Sequence, residues 1–504
     1  MSVNENLYLS LVAEHPSKQP EKEFLMTPGR EPLKYQQLDS LTGKLHSKLL
    51  ELGVTPGDRV VVQVQKSYEA VLLYLACLRA GAIYIPLNTA YTLNEVGYFL
   101  TDAQPQVFVC DIENLAESEA LAEELQVPYT NSLSANGEGS LLEGLESLSD
   151  NPAVALRQSS DLASILYTSG TTGRSKGAML SHGNLLSNAQ TLHQYWQWQD
   201  GEDVLLHALP IFHIHGLFVA LHCAMLGRSS VHFLARFDAQ SIIEKLPQSS
   251  VLMGVPTFYT RLLEAPDFNR PTCQNMRLFI AGSAPLLAET HDKFAALTGH
   301  KILERYGMTE CGMITSNPYD GERIAGTVGF ALPGVSARVC DDKGIELSRG
   351  ETGVLEVFGS NVFKGYWQMP EKTAEEFRED GYFITGDLAT MDESGRISIV
   401  GRSKDLIIAG GYNIYPKEIE AEIDLIDGVK ESAVIGKPHS DLGESVVAVV
   451  VQDGSKALAQ EDILQPLQQK LARFKLPQLV VFVDELPRNV MGKVQKAQLR
   501  EIYK

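Results

Sequence analysis

Cysteine is scarce. The 504 residues hold six, at Cys77, Cys110, Cys223, Cys273, Cys311 and Cys340, and no two form a C-x-x-C pair. That scatter argues against a disulfide framework or a zinc module and for buried free thiols. No apolar run reaches the ~18 residues that a membrane-spanning helix needs. Nor is there a run of lysine and arginine: 43 basic side chains stand against 63 acidic ones, for a net charge of −20. Such a chain repels a phosphate backbone, so nucleic acid is not an expected partner. The opening MSVNENLYLSLVAEHPSKQP lacks a basic segment followed by an apolar core. It reads as the start of a cytoplasmic protein. No internal repeat of fixed period is present.

What is there is an alternation. DRVVVQV reads as a buried strand, SYEAVLLYLACLRAGA as the helix after it, stopped by Gly81, and IYIPL as the next strand. QVFVCD and VLLHALP repeat the theme. Strands alternating with helices predict an α/β protein of layered, mostly parallel sheets. The stretch 113–160, acidic and rich in serine, reads as surface helices and loops. The chain is too long for one core. A second unit is expected after YFITGDLATMDESGRISIVGR, with its own strand runs ESAVIGK, SVVAVVV and QLVVFVD and a helix opened by Pro416. The boundary falls at Arg402–Lys404. This gives a large N-terminal domain, 1–402, and a small α+β C-terminal domain, 403–504.

The stretch YTSGTTGRSKG, Tyr167 to Gly177, is crowded with glycine, hydroxyls and two cations. Backbone N–H groups in such a loop form a nest for anions. It is not a Walker A loop, because Lys176 is followed by Gly177 where Ser or Thr is required.

The loop resembles the signature of the adenylate-forming superfamily, which contains acyl-CoA synthetases, luciferases and peptide-synthetase adenylation domains. Further motifs follow in the family's order: ALPIFHIHG, AGSAPL, ERYGMTE, ITGDL, GRSKDLIIAGGYNIYPKEIE and PRNVMGKVQK. The resemblance implies ATP and Mg²⁺ as cofactors and coenzyme A as cosubstrate. It implies that Thr168, Ser169, Gly170, Thr171, Thr172, Gly173 and Lys176 grip the β- and γ-phosphates. Gly282, Ser283 and Ala284 would line the base. Glu304, Arg305, Tyr306, Gly307 and Met308 would border the nucleotide, with Tyr306 stacked on adenine. Thr309 would touch the α-phosphate, and Glu310 would hold the metal with help from Thr171. Asp387 would accept from the ribose hydroxyls, which a charged acceptor does well, and Arg402 would support it. Lys493 is implied as the catalytic lysine, bridging carboxylate and α-phosphate. Lys404 is the implied hinge, about which the small domain rotates to bring Gly410 and Gly411 to the pantetheine tunnel. Lys493 is also a candidate for reversible acetylation by a lysine acetyltransferase, since losing its charge would stop the first half-reaction.

The acyl pocket of the family corresponds here to His213, His215, Val219, Ser283, Gly307, Met313 and Ile314. Histidines at its mouth suit a short or polar acid. Long stretches, among them YIPLNTAYTLNEVGYFLTDAQP and SNPYDGERIAGTVGFALPGV, resemble malonyl-CoA synthetases. A dicarboxylate carries a second charge that must meet a cation. Arg305, Arg236, Arg277 and His215 are candidates. Arg305 comes first because it abuts the nucleotide motif, whereas strand alternation points Arg277 away. The expected activity is ligation of malonate, with methylmalonate as a further substrate, to coenzyme A through an acyl-adenylate. Another short-chain or aromatic acid is the alternative. A luciferase-like oxygenase would want a dry aromatic pocket. A decayed regulatory relative would have lost Lys493, Glu310 or Asp387.

Overall fold

The computed structural model describes residues 3–13, 21–168, 175–409, 412–439, 443–489 and 492–503. Ser169, Gly170, Thr171, Thr172, Gly173, Gly410 and Gly411 lie outside them.

Four sheets organise the described residues. The first is a six-stranded sheet that runs, edge to edge, Tyr129–Ser132, Val107–Cys110, Arg59–Gln63, Ile83–Pro86, Leu162–Thr168, Lys176–Ser181. All its pairings are parallel except the last, a hairpin whose connection is residues 169–175. Its central strands Val107–Cys110, Arg59–Gln63 and Ile83–Pro86 are buried on both faces, as parallel strands covered by helices must be. The helix Tyr68–Ala80 shows why the chain folds this way locally. Ser67 caps its start by accepting from the Ala70 N–H, and Gly81 ends it at φ +71°, a left-handed turn that favours glycine.

A nine-stranded sheet packs alongside. Its central strands Leu303–Met308, Leu278–Ala281, Val251–Gly254, Val204–His207 and Ser230–Phe233 are parallel neighbours in that order. Gly312–Ser316 then returns antiparallel to Leu303–Met308. A four-stranded antiparallel sheet follows, ending on Phe383–Met391 and Ile397–Arg402.

Sheet membership changes between Arg402 and Ile407. The C-terminal sheet contains Ile407–Ala409, Tyr412–Ile414, Val429–His439, Gly443–Gln452 and Leu479–Val483. Its central strand alternates strictly. Val446, Ala448 and Val450 join Ile419, Ile423, Ile463 and Leu467 on one face, and Val447, Val449 and Val451 join Leu486 and Leu499 on the other. A period of two therefore builds two cores at once.

The stretch 113–160 holds more than surface helices and loops. Tyr129–Ser132 is an edge strand of the six-stranded sheet, paired with Val107–Cys110. Its sequence YTNS has no apolar alternation, and backbone pairing together with bonds from Asn131 and Ser132 to Ser140 holds it. Among the described residues, no helix is long and apolar enough to cross a membrane.

Candidate active site

The site forms where the nine-stranded sheet, the four-stranded sheet and the C-terminal domain meet. Its floor is set by a buried clamp. The Lys66 ammonium donates to the carbonyls of His207 and Leu209 at 3.1 and 2.9 Å and lies 2.7 Å from His207 Nδ1. The other ring nitrogen of His207 donates to the Gly216 carbonyl at 3.0 Å. Both ends of the loop 207–216 are thereby tied down. A π-helix, His215–Leu221, starts at its end. Such widened turns recur at functional sites. Gly216 is required there because a Cβ would strike the Pro210 carbonyl.

His213 and His215 project from this loop. His215 Nδ1 lies 3.3 Å from Ser283 Oγ, and His215 Nε2 has no partner. Burial, then the charges of Lys493 and Arg305, hold His213 down to about 3. Burial, then Arg305, pushes His215 well below its ordinary range. Both rings are therefore neutral. Ser283 sits at φ +72°, unusual for a residue with a side chain and a sign of a backbone held by its surroundings.

Arg305 lies behind them, 3% exposed. Its Nε and Nη2 have no hydrogen-bond partner. Burial lowers it to about 9, still charged at neutral pH. Gly282 makes the room, because a Cβ there would run into the guanidinium. A buried guanidinium without an anion is costly and asks for one from outside. Arg277, by contrast, turns away and pairs with the fully buried Asp203, its Nε 2.7 Å from Oδ1. Arg236 is exposed after the strand Ser230–Phe233 and stands outside the buried cluster.

Five residues past Arg305 the charge is reversed. Glu310, 6% exposed, lies in the turn between Leu303–Met308 and Gly312–Ser316, beside Thr309. Burial raises its carboxyl. Tyr366 Oη lies 3.1 Å from Glu310 Oε1. A buried, hard oxygen ligand with no lysine or arginine ion-paired to it among the described residues fits a divalent cation. Gly307 lets the return strand close tightly, since a Cβ would meet Met313 Cε at 2.6 Å. Met313 is buried on that strand, and its N–H donates to Asn188 at 3.0 Å.

Asp387 is buried in the middle of the strand Phe383–Met391, and Arg402 Nε approaches its Oδ1 at 3.0 Å. Tyr306 Oη donates to its Oδ2 at 2.5 Å. Met308 is partly buried against the main core. Glu304 accepts from the Gly326 N–H at 3.2 Å, and burial pushes it up to about 8. Ala284 follows Ser283 in the loop after Leu278–Ala281.

Lys493 reaches this cluster from the C-terminal domain. Burial, then Arg402, lowers its ammonium to about 8, while Asp387 and Glu310 pull the other way. The hairpin that carries it docks through Gly492, at φ +73°, where a Cβ would lie 3.2 Å from Thr257 Oγ1. Lys404 sits in the short helical turn Ser403–Asp405, exposed, and the neighbouring Asp405 pairs with Arg500 at 2.7 Å. Thr168 ends its strand opposite Lys176. The Lys176 ammonium does not stand free for phosphate. It pairs with Glu376 at 2.9 Å and lies 4.0 Å from the centre of the Tyr366 ring. Glu376 and Tyr366 carry no motif, and sequence alone gave no reason to single them out.

The model of the AMP-binding enzyme family matches residues 12–367, and that of its C-terminal domain matches 418–493. The chain belongs to this family. It is 54% identical to MatB of Rhodopseudomonas palustris in an ATP-bound crystal structure, at a TM-score of 0.97 over 100% of this chain and 99% of that one. Against the apo form of that protein, with the same coverage, the score is 0.86. The arrangement of this chain is thus nearer to the ATP-bound form. A malonate–CoA ligase of Arabidopsis thaliana is 33% identical over 92% of this chain and 81% of its own length. A long-chain-fatty-acid–CoA ligase of Mycobacterium tuberculosis is 34% identical over 93% of each chain. Identity at that level leaves the acid undecided, and the pocket must decide it.

Proposed function

We propose that this protein ligates malonate, and its 2-methyl homologue, to coenzyme A at the expense of ATP. One carboxylate oxygen of the acid bonds to the α-phosphorus as the bond to pyrophosphate breaks. The thiolate of coenzyme A then bonds to the acyl carbon as AMP leaves. Lys493 holds the reacting carboxylate and α-phosphate together in the first step, where two anions must meet. Asp387, with Arg402 beside it, orients the ribose, and Tyr306 supports the base. Glu310, with Thr171, would hold Mg²⁺. When bound, Mg²⁺ supplies neutralising charge to the triphosphate. In the second step the domain 403–504 turns about Lys404 and brings Gly410 and Gly411 to the thiol arm. Acetylation of Lys493 by a lysine acetyltransferase would stop the first step and spare the second.

One observation carries the choice of acid: the buried, unpartnered guanidinium of Arg305, next to two neutral histidines. A second carboxylate supplies the anion it lacks, and His215 Nε2 adds a polar contact. A ligase for another short-chain or aromatic monocarboxylic acid would leave that charge buried and unpaired. The test is thioester and AMP formation with ATP and Mg²⁺ across equal concentrations of malonate, methylmalonate, succinate, acetate, octanoate and coumarate. Turnover confined to malonate and methylmalonate is expected. Turnover of a monocarboxylate with none on malonate would overturn the choice of acid and leave the ligase chemistry standing.

A further inference from the structure

The carboxylate of Glu310 is held by a relay that no motif of the sequence contains. Tyr366 Oη lies between two carboxylates, 2.6 Å from Glu376 Oε2 and 3.1 Å from Glu310 Oε1. A phenol owns one hydrogen. Both carboxylates accept from that one O–H, which turns between them: Glu376 anchors it at the shorter contact and Glu310 accepts it at the longer. Glu376 is itself pinned by two cations, Lys176 at 2.9 Å and Lys372 at 3.1 Å. The Lys176 ammonium also lies 4.0 Å from the Tyr366 ring centre, within cation–π reach. Phe363 packs edge-on against the same ring at 4.9 Å. The ring is therefore gripped on its face, at its edge and at its hydroxyl. Lys176 opens the strand that follows residues 169–174, so the relay joins the stem of the glycine-rich loop to Glu310.

We propose that Tyr366, Glu376 and Lys176 are positioning residues for the divalent cation. They fix the rotamer of Glu310 so that one carboxylate oxygen faces the metal and the other is backed by the phenol. On this view Lys176 acts through Glu376 and Tyr366, and its charge serves the metal ligand instead of the phosphates. The proposal rests on Glu310 being a metal ligand. Groups that hydrogen-bond a metal's ligand from behind change metal affinity by ~10–100-fold when removed.

The test is Mn²⁺ binding, followed by electron paramagnetic resonance on full-length enzyme saturated with α,β-methylene-ATP. Half-saturating Mg²⁺ in adenylation and ATP binding in EDTA are measured alongside. Tyr366→Phe keeps the ring and removes the hydroxyl, and Glu376→Gln removes the charge but leaves the ring packed. Both are expected to weaken Mn²⁺ about ten-fold and to raise half-saturating Mg²⁺ by the same factor. Metal-free ATP binding and the malonate KM are expected to stay within about two-fold, which a merely structural lesion would not allow. Lys176→Met is expected to follow the same pattern. Should Lys176→Met weaken ATP in EDTA as strongly as it weakens Mn²⁺, Lys176 is a phosphate ligand and the relay is wrong. Unchanged Mn²⁺ and Mg²⁺ dependence in both Tyr366→Phe and Glu376→Gln also overturns it. Glu310→Gln separates the two layers. If it keeps wild-type Mn²⁺ affinity, the reading of Glu310 falls and takes the relay with it. If it weakens Mn²⁺ and Tyr366→Phe does not, only the relay falls.

Discussion

Arg305 and Glu310 stand five positions apart on one hairpin, both buried, with opposite charge. Neither is paired with the other. Arg305 keeps two nitrogens without a partner, and Glu310 accepts from the Tyr366 hydroxyl but has no lysine or arginine ion-paired to it among the described residues. Elsewhere in the same sheet a buried charge is settled internally, as Arg277 is by Asp203. The difference is informative. A protein that could pair its buried charges and does not is holding each for a counter-charge that arrives with the substrates. On the proposed function one end of the site takes an anion and the other a cation, and Lys493, from the C-terminal domain, feels the charges of both Arg305 and Glu310.

The largest way to break this comparison is to remove the group between the two ends. Lys493→Ala is expected to lower adenylation on the order of 10³-fold, about 4 kcal/mol, the scale on which a preorganised donor to a developing charge acts. Thioester formation from chemically supplied malonyl-adenylate should persist, because on the proposed mechanism that step uses the other domain pose. Measured by pyrophosphate release and by thiol consumption, equal loss in both would remove the division of labour.

The next test acts on the anion end alone. Arg305→Met is expected to cut kcat/KM for malonate ~100-fold, about 3 kcal/mol, as when a buried charge loses its partner. Acetate turnover should not fall, and the malonate-to-acetate ratio is the readout. Folding stability should hold or rise, since a buried unpaired charge is replaced by an apolar chain. Arg277→Met is the mirror case. Breaking its pair leaves Asp203 buried without its cation, so unfolding free energy should drop by about 3 kcal/mol in denaturant titration. The malonate-to-acetate ratio should not move. If Arg277→Met changed that ratio and Arg305→Met did not, the two arginines would have to exchange roles.

The sequence carried the scaffold further than the site. Alternation such as that of residues 446–451 determines which face each side chain takes, so strands and their two cores could be read directly. The strand Tyr129–Ser132 could not, because a polar edge strand is held by its neighbour's backbone. Arg305 was legible through charge accounting, since a second carboxylate needs a cation and Arg305 abuts the nucleotide motif. Arg236 satisfied the same argument and lies exposed, because sequence gives charge without depth. Lys176 reads from the sequence as a phosphate ligand, and its pairing with Glu376, 200 positions away in the chain, could not be read there. Long-range pairing of that kind leaves no local pattern.

The smallest effect is in the pH profile, and it follows from the burial of Lys493 beside Arg402 and Arg305, which outweighs the pull of Asp387 and Glu310. Burial and Arg402 bring its ammonium from the ordinary lysine range down to about 8. On the proposed role of Lys493, the charged form is the one that bridges two anions. In the free enzyme that form is complete below pH 8 and is lost as pH rises through it. The kcat/KM for malonate reports the free enzyme. It should therefore be level toward neutrality, halve near pH 8 and fall about ten-fold for each further unit. Bound ATP and malonate bring negative charge to the ammonium and raise it again, so kcat should hold to higher pH than kcat/KM does. Lys493→Arg, whose side chain stays charged across this range, should flatten the limb whatever its residual rate. A limb near pH 8 that survived in Lys493→Arg would belong to another group. Arg305, lowered to about 9, would be the first to examine.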